Sequence, residues 1–413
     1  MALKCMADRF ERPDWVRRMN AMADALGGAD VGARRVIPID PDALFAEALE
    51  SVGGEDIGDF GDPLWRERFT TLAAAIDRSN MHVVGRLQSR EELFRSLRTR
   101  LLLNRRWAET PAIADEEIAA PLVVTGPARS GTSITFELLW LDPRVRGPLA
   151  WEVLHPIPQP EGGDDRRLAA TECEQEFWAD VQPEFAAIHE LRSDLPVECV
   201  TLTQPCFAGS HWPMVAQLKG WEADMTEAYA FEKRLLQVLQ YGEEKKTWLL
   251  KTPGHVMTID LLFATFPDVQ VVQTHRDPAK TMPSTVSTTA MVQWLRTSNV
   301  DLDQLVPLIN AAFGASLNSV AERRASGDLP AQFGDIHFQS LLSNPVDTIR
   351  RAYDQLGRAF LPEHGEAITE YVANKPKGKF GVHKYTPEEW GFSAESLRSG
   401  LGPYIDAFGI ELE

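Results

Sequence analysis

The chain has 413 residues and 44% hydrophobic composition, enough to bury a large core. With 42 basic against 60 acidic residues the net charge is −18, which opposes binding to nucleic acid or an anionic membrane, so any anion site must be built from locally concentrated basic residues. No window approaches the roughly 18 apolar residues of a membrane span, the first residues lack a signal peptide's apolar stretch, and Cys5, Cys173, Cys199 and Cys206 are too sparse for a disulfide framework, so a soluble, cytoplasmic protein with reduced, buried thiols is expected.

Residues 1–118 read as a helical extension. Pro41-Asp42 leads into an apolar-periodic run over 43–49 that Gly53-Gly54 would end as a left-handed cap. Asp62-Pro63 reads as a capping aspartate and first-turn proline opening a second helix through Leu64, Phe69 and Leu72. A third, over 91–107, carries Leu93, Leu97 and Leu101 on one face and arginines at 95, 98, 100, 105 and 106. This is either a collar with a solvated basic face or a source of a phosphate contact from Arg105 or Arg106.

At 122–133 the pattern changes. Leu122-Val123-Val124-Thr125 has strand propensity, Gly126-Pro127-Ala128-Arg129-Ser130-Gly131 is a turn, and 134–141 is apolar at helical spacing. Such a strand–loop–helix wraps backbone N–H groups around an anion, with Gly126 and Gly131 allowing angles and approaches that a Cβ would block. The spacing matches a nucleotide-hydrolase phosphate loop, except that Thr132, followed by Ser133, stands where that pattern wants lysine, and the charge comes earlier, as Arg129. After it, prolines at 148, 156 and 158 forbid a helix and favour extended backbone, placing Glu152 near the carboxyl ends of the strands. The aromatic, helix-rich segment 158–246 reads as an insertion lining a substrate pocket.

Two more strand–turn units follow. Thr247-Trp248-Leu249-Leu250 ends at Lys251-Thr252-Pro253-Gly254-His255, and 269–274 ends at His275-Arg276-Asp277-Pro278. Pro283 either kinks the next segment or restarts it with Thr281 as cap; in both cases Ser284 lies close to free N–H groups, and Arg276 and Ser284, eight residues apart, would offer a fork of donors and a hydroxyl to a second phosphate. Asp335-Ile336-His337-Phe338 is a further short strand, and Asn344-Pro345 caps a helix. Lys375 to Tyr385 is a basic, glycine-rich loop, followed by a capping box at Thr386 and Glu389.

Taken in order, Arg129-Ser130-Gly131-Thr132-Ser133, Lys251-Thr252-Pro253-Gly254-His255 and Arg276-Asp277-Pro278 with Ser284 resemble the motifs of the sulfotransferases that use PAPS (3′-phosphoadenosine 5′-phosphosulfate), in their bacterial, mycobacterial-type branch. The resemblance implies an α/β fold: a P-loop-like parallel sheet flanked by helices, doubly wound, over 119–413, with the extension before it and the insertion within it. It implies that Arg129, Ser130, Gly131, Thr132 and Ser133 hold the 5′-phosphosulfate, that Arg276 and Ser284 hold the 3′-phosphate, and that Lys379 and His383 close over the nucleotide. Lys251 and Arg129 would stabilise the leaving oxygen, without a metal. The general base is Glu152, which resembles the glutamate base of some mycobacterial carbohydrate sulfotransferases, or His255. The acceptor is expected to be a small apolar or amphipathic alcohol or amine. Two rival readings are an ATP-dependent small-molecule kinase, which needs the lysine that Thr132 replaces, and a non-catalytic nucleotide-binding relative.

Overall fold

The computed structural model describes residues 3–158, 165–188, 190–375 and 386–413. Five strands, β1 (Leu122–Thr125), β2 (Val145–Arg146), β3 (Thr247–Lys251), β4 (Gln270–His275) and β5 (Phe333–His337), form one sheet in the order β2-β3-β1-β4-β5. Every pairing is parallel. Because side chains alternate across a strand, the sheet needs cover on both faces. Val123, Leu250 and Val271 face one core with the helices Met225–Gln240, Leu302–Ser326 and Gly402–Phe408. Leu122, Val124 and Val272 face the other, with Thr132–Trp140, Pro345–Gln355 and Pro362–Asn374. This is the doubly wound arrangement the sequence predicts, and it turns the carboxyl ends of β3, β1 and β4 to one edge.

The helices before β1 do not pack among themselves alone. Leu72, Leu93 and Leu97 share a core with Phe185, Phe207 and Trp212 from the segment between β2 and β3, and with Met291 and Val292 of the helix Pro278–Arg296. That roof explains why the basic face expected on the long helix Val83–Glu109 is not solvated: Arg95 is 5% exposed and Arg100 fully buried. Glu92 on this helix takes both ends of the buried Arg296 guanidinium at 2.7 Å, and His211 adds a contact at 3.0 Å. Burial alone would raise the Glu92 carboxyl; Arg296 and His211 outweigh it and hold it well below the usual carboxylate range. Its stabilisation is therefore complete above the unfolded carboxylate pKa of about 4.3 and is lost as pH falls towards the depressed folded value. Glu92→Gln, which leaves Arg296 buried without its counter-ion, is expected to cost about 3–5 kcal/mol at pH 7. Urea unfolding should show the gap from wild type narrowing below about pH 4; a pH-independent gap would refute the ionic account.

Several local readings are corrected. The helix Ala150–Leu154 forms despite the neighbouring prolines, because none lies inside it. Asp277, not Thr281, caps Pro278–Arg296, accepting from the Ala279 N–H at 2.9 Å, and the helix runs on through Pro283. Asp62 accepts from the Leu64 N–H, and its helix begins later, at Trp65. Cys199 and Cys206 are buried, but Cys5 and Cys173 are exposed. Among the described residues, no helix is long and apolar enough to cross a membrane, and no group of three His, Cys, Asp or Glu could hold a metal ion.

Candidate functional site

The loop after β1 adopts left-handed backbone at Gly126, Arg129 and Gly131, with φ of 135°, 65° and 96°. Gly126 is required sterically as well: a Cβ there would lie 2.3 Å from Thr274 Oγ1 on β4. Arg129 tolerates its conformation because its carbonyl accepts from Arg276 Nη1 at 2.9 Å. The helix Thr132–Trp140 starts at Gly131 with no side chain capping it, so its first N–H groups are left for an anion. Ser130 does not face that anion. Its fully buried hydroxyl bonds Thr274 Oγ1 at 2.5 Å and Pro127 O at 2.6 Å, stapling the loop to β4.

The neighbouring strand ends add cations. Arg276, just beyond β4, stacks 3.9 Å over the Phe338 ring and pairs bidentately with Glu413, Nε and Nη2 lying 2.7 and 2.8 Å from its carboxylate. Ser284 is 1% exposed, and its hydroxyl has no partner among the described residues. Lys251, at the end of β3, is buried and ion-paired with Glu198. Arg129, Thr132, Ser133, Arg276 and Ser284 line one cavity of about 1440 Å³, which continues past Met214 to Leu305, Ile309 and Phe313. A second chamber of about 660 Å³ is walled by Lys251 with Phe136, Trp140, Phe177 and Trp178. Ser133, Glu198 and Thr288 line both, so the Lys251–Glu198 pair stands where the two spaces adjoin.

A cationic anion cradle beside an aromatic chamber suits transfer of a charged group to an apolar acceptor. A family model described as "Sulfotransferase family" matches residues 121–362, more than half of the chain and spanning all three strand ends. The chain belongs to the sulfotransferase family. Two relatives named omega-hydroxy-beta-dihydromenaquinone-9 sulfotransferase Stf3, from Mycobacterium bovis and Mycobacterium tuberculosis, are each 24% identical to it over 325 residues, 76% of this chain and 79% of theirs. The solved sulfotransferase STF9 from Mycobacterium avium matches with a TM-score of 0.76 at 27% identity, over 91% of this chain and 98% of that one. STF1 from Mycobacterium tuberculosis matches with a TM-score of 0.70 at 25% identity, covering 87% and 97%.

Within this sulfotransferase fold the two residues expected as base are placed elsewhere. Glu152 caps its own helix, accepting from the Leu149 N–H at 3.3 Å, and pairs with Arg146 at 3.1 Å; it lines neither space. His255 is 2% exposed, with Nδ1 2.6 Å from the Tyr229 hydroxyl and Nε2 3.3 Å from Cys199 Sγ. Burial pushes it down to about 3, so the ring is a neutral packing group with both nitrogens engaged. Arg105 bonds the carbonyls of Val52 and Glu55, and Arg106 lies over Tyr241; neither reaches the cradle. Lys379 and His383 lie outside the described residues. Sequence reasoning did not single out Glu198, which pairs with Lys251, or Glu413, which pairs with Arg276. The backbone around 148–150 pairs with 195–197, through Ala150 N to Leu195 O and Val197 N to Pro148 O, and that pairing is what delivers Glu198 to Lys251. Pro196, which marks extended backbone just ahead of Glu198, was the available signal.

Proposed function

We propose that the protein transfers the sulfuryl group of PAPS to the hydroxyl of an apolar or amphipathic small molecule. The observation that carries this is the 2.9 Å bond from Arg276 to the Arg129 carbonyl: two basic residues from adjacent strand ends meet on one cavity wall, where a single nucleotide can engage both. The amides of Thr132 and Ser133 with Arg129 would hold the 5′-phosphosulfate. Arg276 and the unpartnered Ser284 hydroxyl would hold the 3′-phosphate. The bound co-substrate supplies the activated sulfuryl group; the chain's own work is to align it and to balance charge.

Lys251 has three N–H donors, so it can keep Glu198 and still reach the bridging oxygen that takes up charge on leaving. Glu198 takes the acceptor hydroxyl's proton, in place of Glu152 or His255. The apolar walls favour a water-poor acceptor, in keeping with relatives whose names specify a hydroxylated menaquinone. The cofactor assignment is tested by thermal stability in titrations with 3′-phosphoadenosine 5′-phosphate (PAP) and with ATP plus magnesium. Stability should rise with the bisphosphate, through preferential binding to the native state. A response to ATP–magnesium alone would instead support the kinase reading.

A further inference from the structure

We propose that the Glu413 carboxylate occupies the place of the 3′-phosphate on Arg276 and thereby sets how tightly, and how selectively, the site takes a 3′-phosphorylated nucleotide. This rests on Arg276 being a phosphate contact. The Glu413 carboxylate engages Arg276 Nε and Nη2, a planar fork edge that a phosphate would also use bidentately. Glu413 is an exposed residue, but its main chain is tied down. The Glu413 N–H donates to Asp277 Oδ2 at 2.9 Å, and its main-chain oxygen accepts from Arg398 Nη2 at 2.8 Å. Arg398 is itself held by Asp277, the cap of the helix that carries Ser284. The chain thus holds a carboxylate against the Arg276 fork, although Glu413 itself is not among the residues that line the cavity.

Arg276 cannot swing away to serve a second anion, because the Arg129 carbonyl and the Phe338 ring fix the guanidinium from other sides. An arriving 3′-phosphate must either displace Glu413 or sit beside a like charge at a few ångströms, and both outcomes cost affinity. A nucleotide without that phosphate leaves the Arg276–Glu413 pair closed. Glu413 therefore acts on one group of the ligand only.

The test uses the full chain and Glu413→Gln, titrated calorimetrically with PAP and with adenosine 5′-phosphate. Glu413→Gln should tighten PAP by about tenfold or more and leave adenosine 5′-phosphate within about twofold. Arg398→Ala, which releases the Glu413 backbone without removing a cradle residue, should shift PAP in the same direction. If PAP binds the wild type and Glu413→Gln leaves that affinity unchanged or weaker, the carboxylate is an orienting partner and the proposal is overturned. If PAP binds neither protein, the reading of the cavity as a site for a 3′-phosphorylated nucleotide fails, and this proposal with it.

Discussion

Replacing Arg276 with alanine is expected to weaken PAP binding by about 100-fold while the protein stays folded. The side chain supplies a planar donor fork at a cavity wall, and removing one partner of a desolvated charge pair costs about 3 kcal/mol, or two orders of magnitude. The truncation also strips the Arg129 carbonyl of its donor and leaves the Glu413 carboxylate facing the incoming phosphate, so both secondary effects add to the loss. Arg276→Lys should recover only part of it, because an ammonium keeps the charge but not the bidentate geometry. Calorimetric titration, with circular dichroism to confirm the fold, reads the result. Unchanged affinity in Arg276→Ala would remove the basis for a two-ended nucleotide grip.

Gly126→Ala should be the most damaging small substitution near the site. The added methyl carbon would stand 2.3 Å from Thr274 Oγ1 and 2.6 Å from the Thr274 carbonyl, at a φ of 135° that an alanine does not adopt without strain. The strands cannot part to make room, since Thr125 and Gln273 are paired in register immediately before. Thr274 cannot rotate freely either, because its hydroxyl bonds both Ser130 and the Thr125 carbonyl. Steric overlap and backbone strain together should cost about 3–5 kcal/mol, a large part of a typical domain's stability. Gly314→Ala is the control: it lies within the helix Leu302–Ser326, where an added methyl carbon would meet nothing within 4 Å, and it should stabilise by about 0.5–1 kcal/mol. Urea midpoints compare the two; a Gly126→Ala protein as stable as wild type would show that the close approach to β4 relaxes at no cost.

The strands and the phosphate loop were legible because parallel strands buried on both faces leave continuous apolar runs, such as Leu122-Val123-Val124, bounded by glycine and proline. Arg129, Thr132, Lys251 and Arg276 follow from their places at those strand ends and Ser284 from the helix after β4, and the structure brings them to one edge. What stayed hidden depends on contacts between distant segments. His255 sits at a strand end in the sequence, yet Tyr229 and Cys199, 26 and 56 residues before it, close around its ring. Glu152 and Glu198 are both acidic residues near prolines; only the pairing of the two backbone stretches decides which one meets Lys251. Ser130 has the residue type of a ligand contact, but Thr274 on another strand turns its hydroxyl inward.

Since β3, β1 and β4 are immediate neighbours in the sheet, the spacing between Lys251, the first loop and Arg276 is set in steps of about 4.8 Å by main-chain hydrogen bonds. The cradle end is thus gauged by the backbone, as marks on a ruler, whereas the aromatic chamber is upholstered by side chains from helices such as Arg167–Val181. On the proposed function, substitutions in those helices should retailor the molecule to a different acceptor without recalibrating the spacing of the three strand ends.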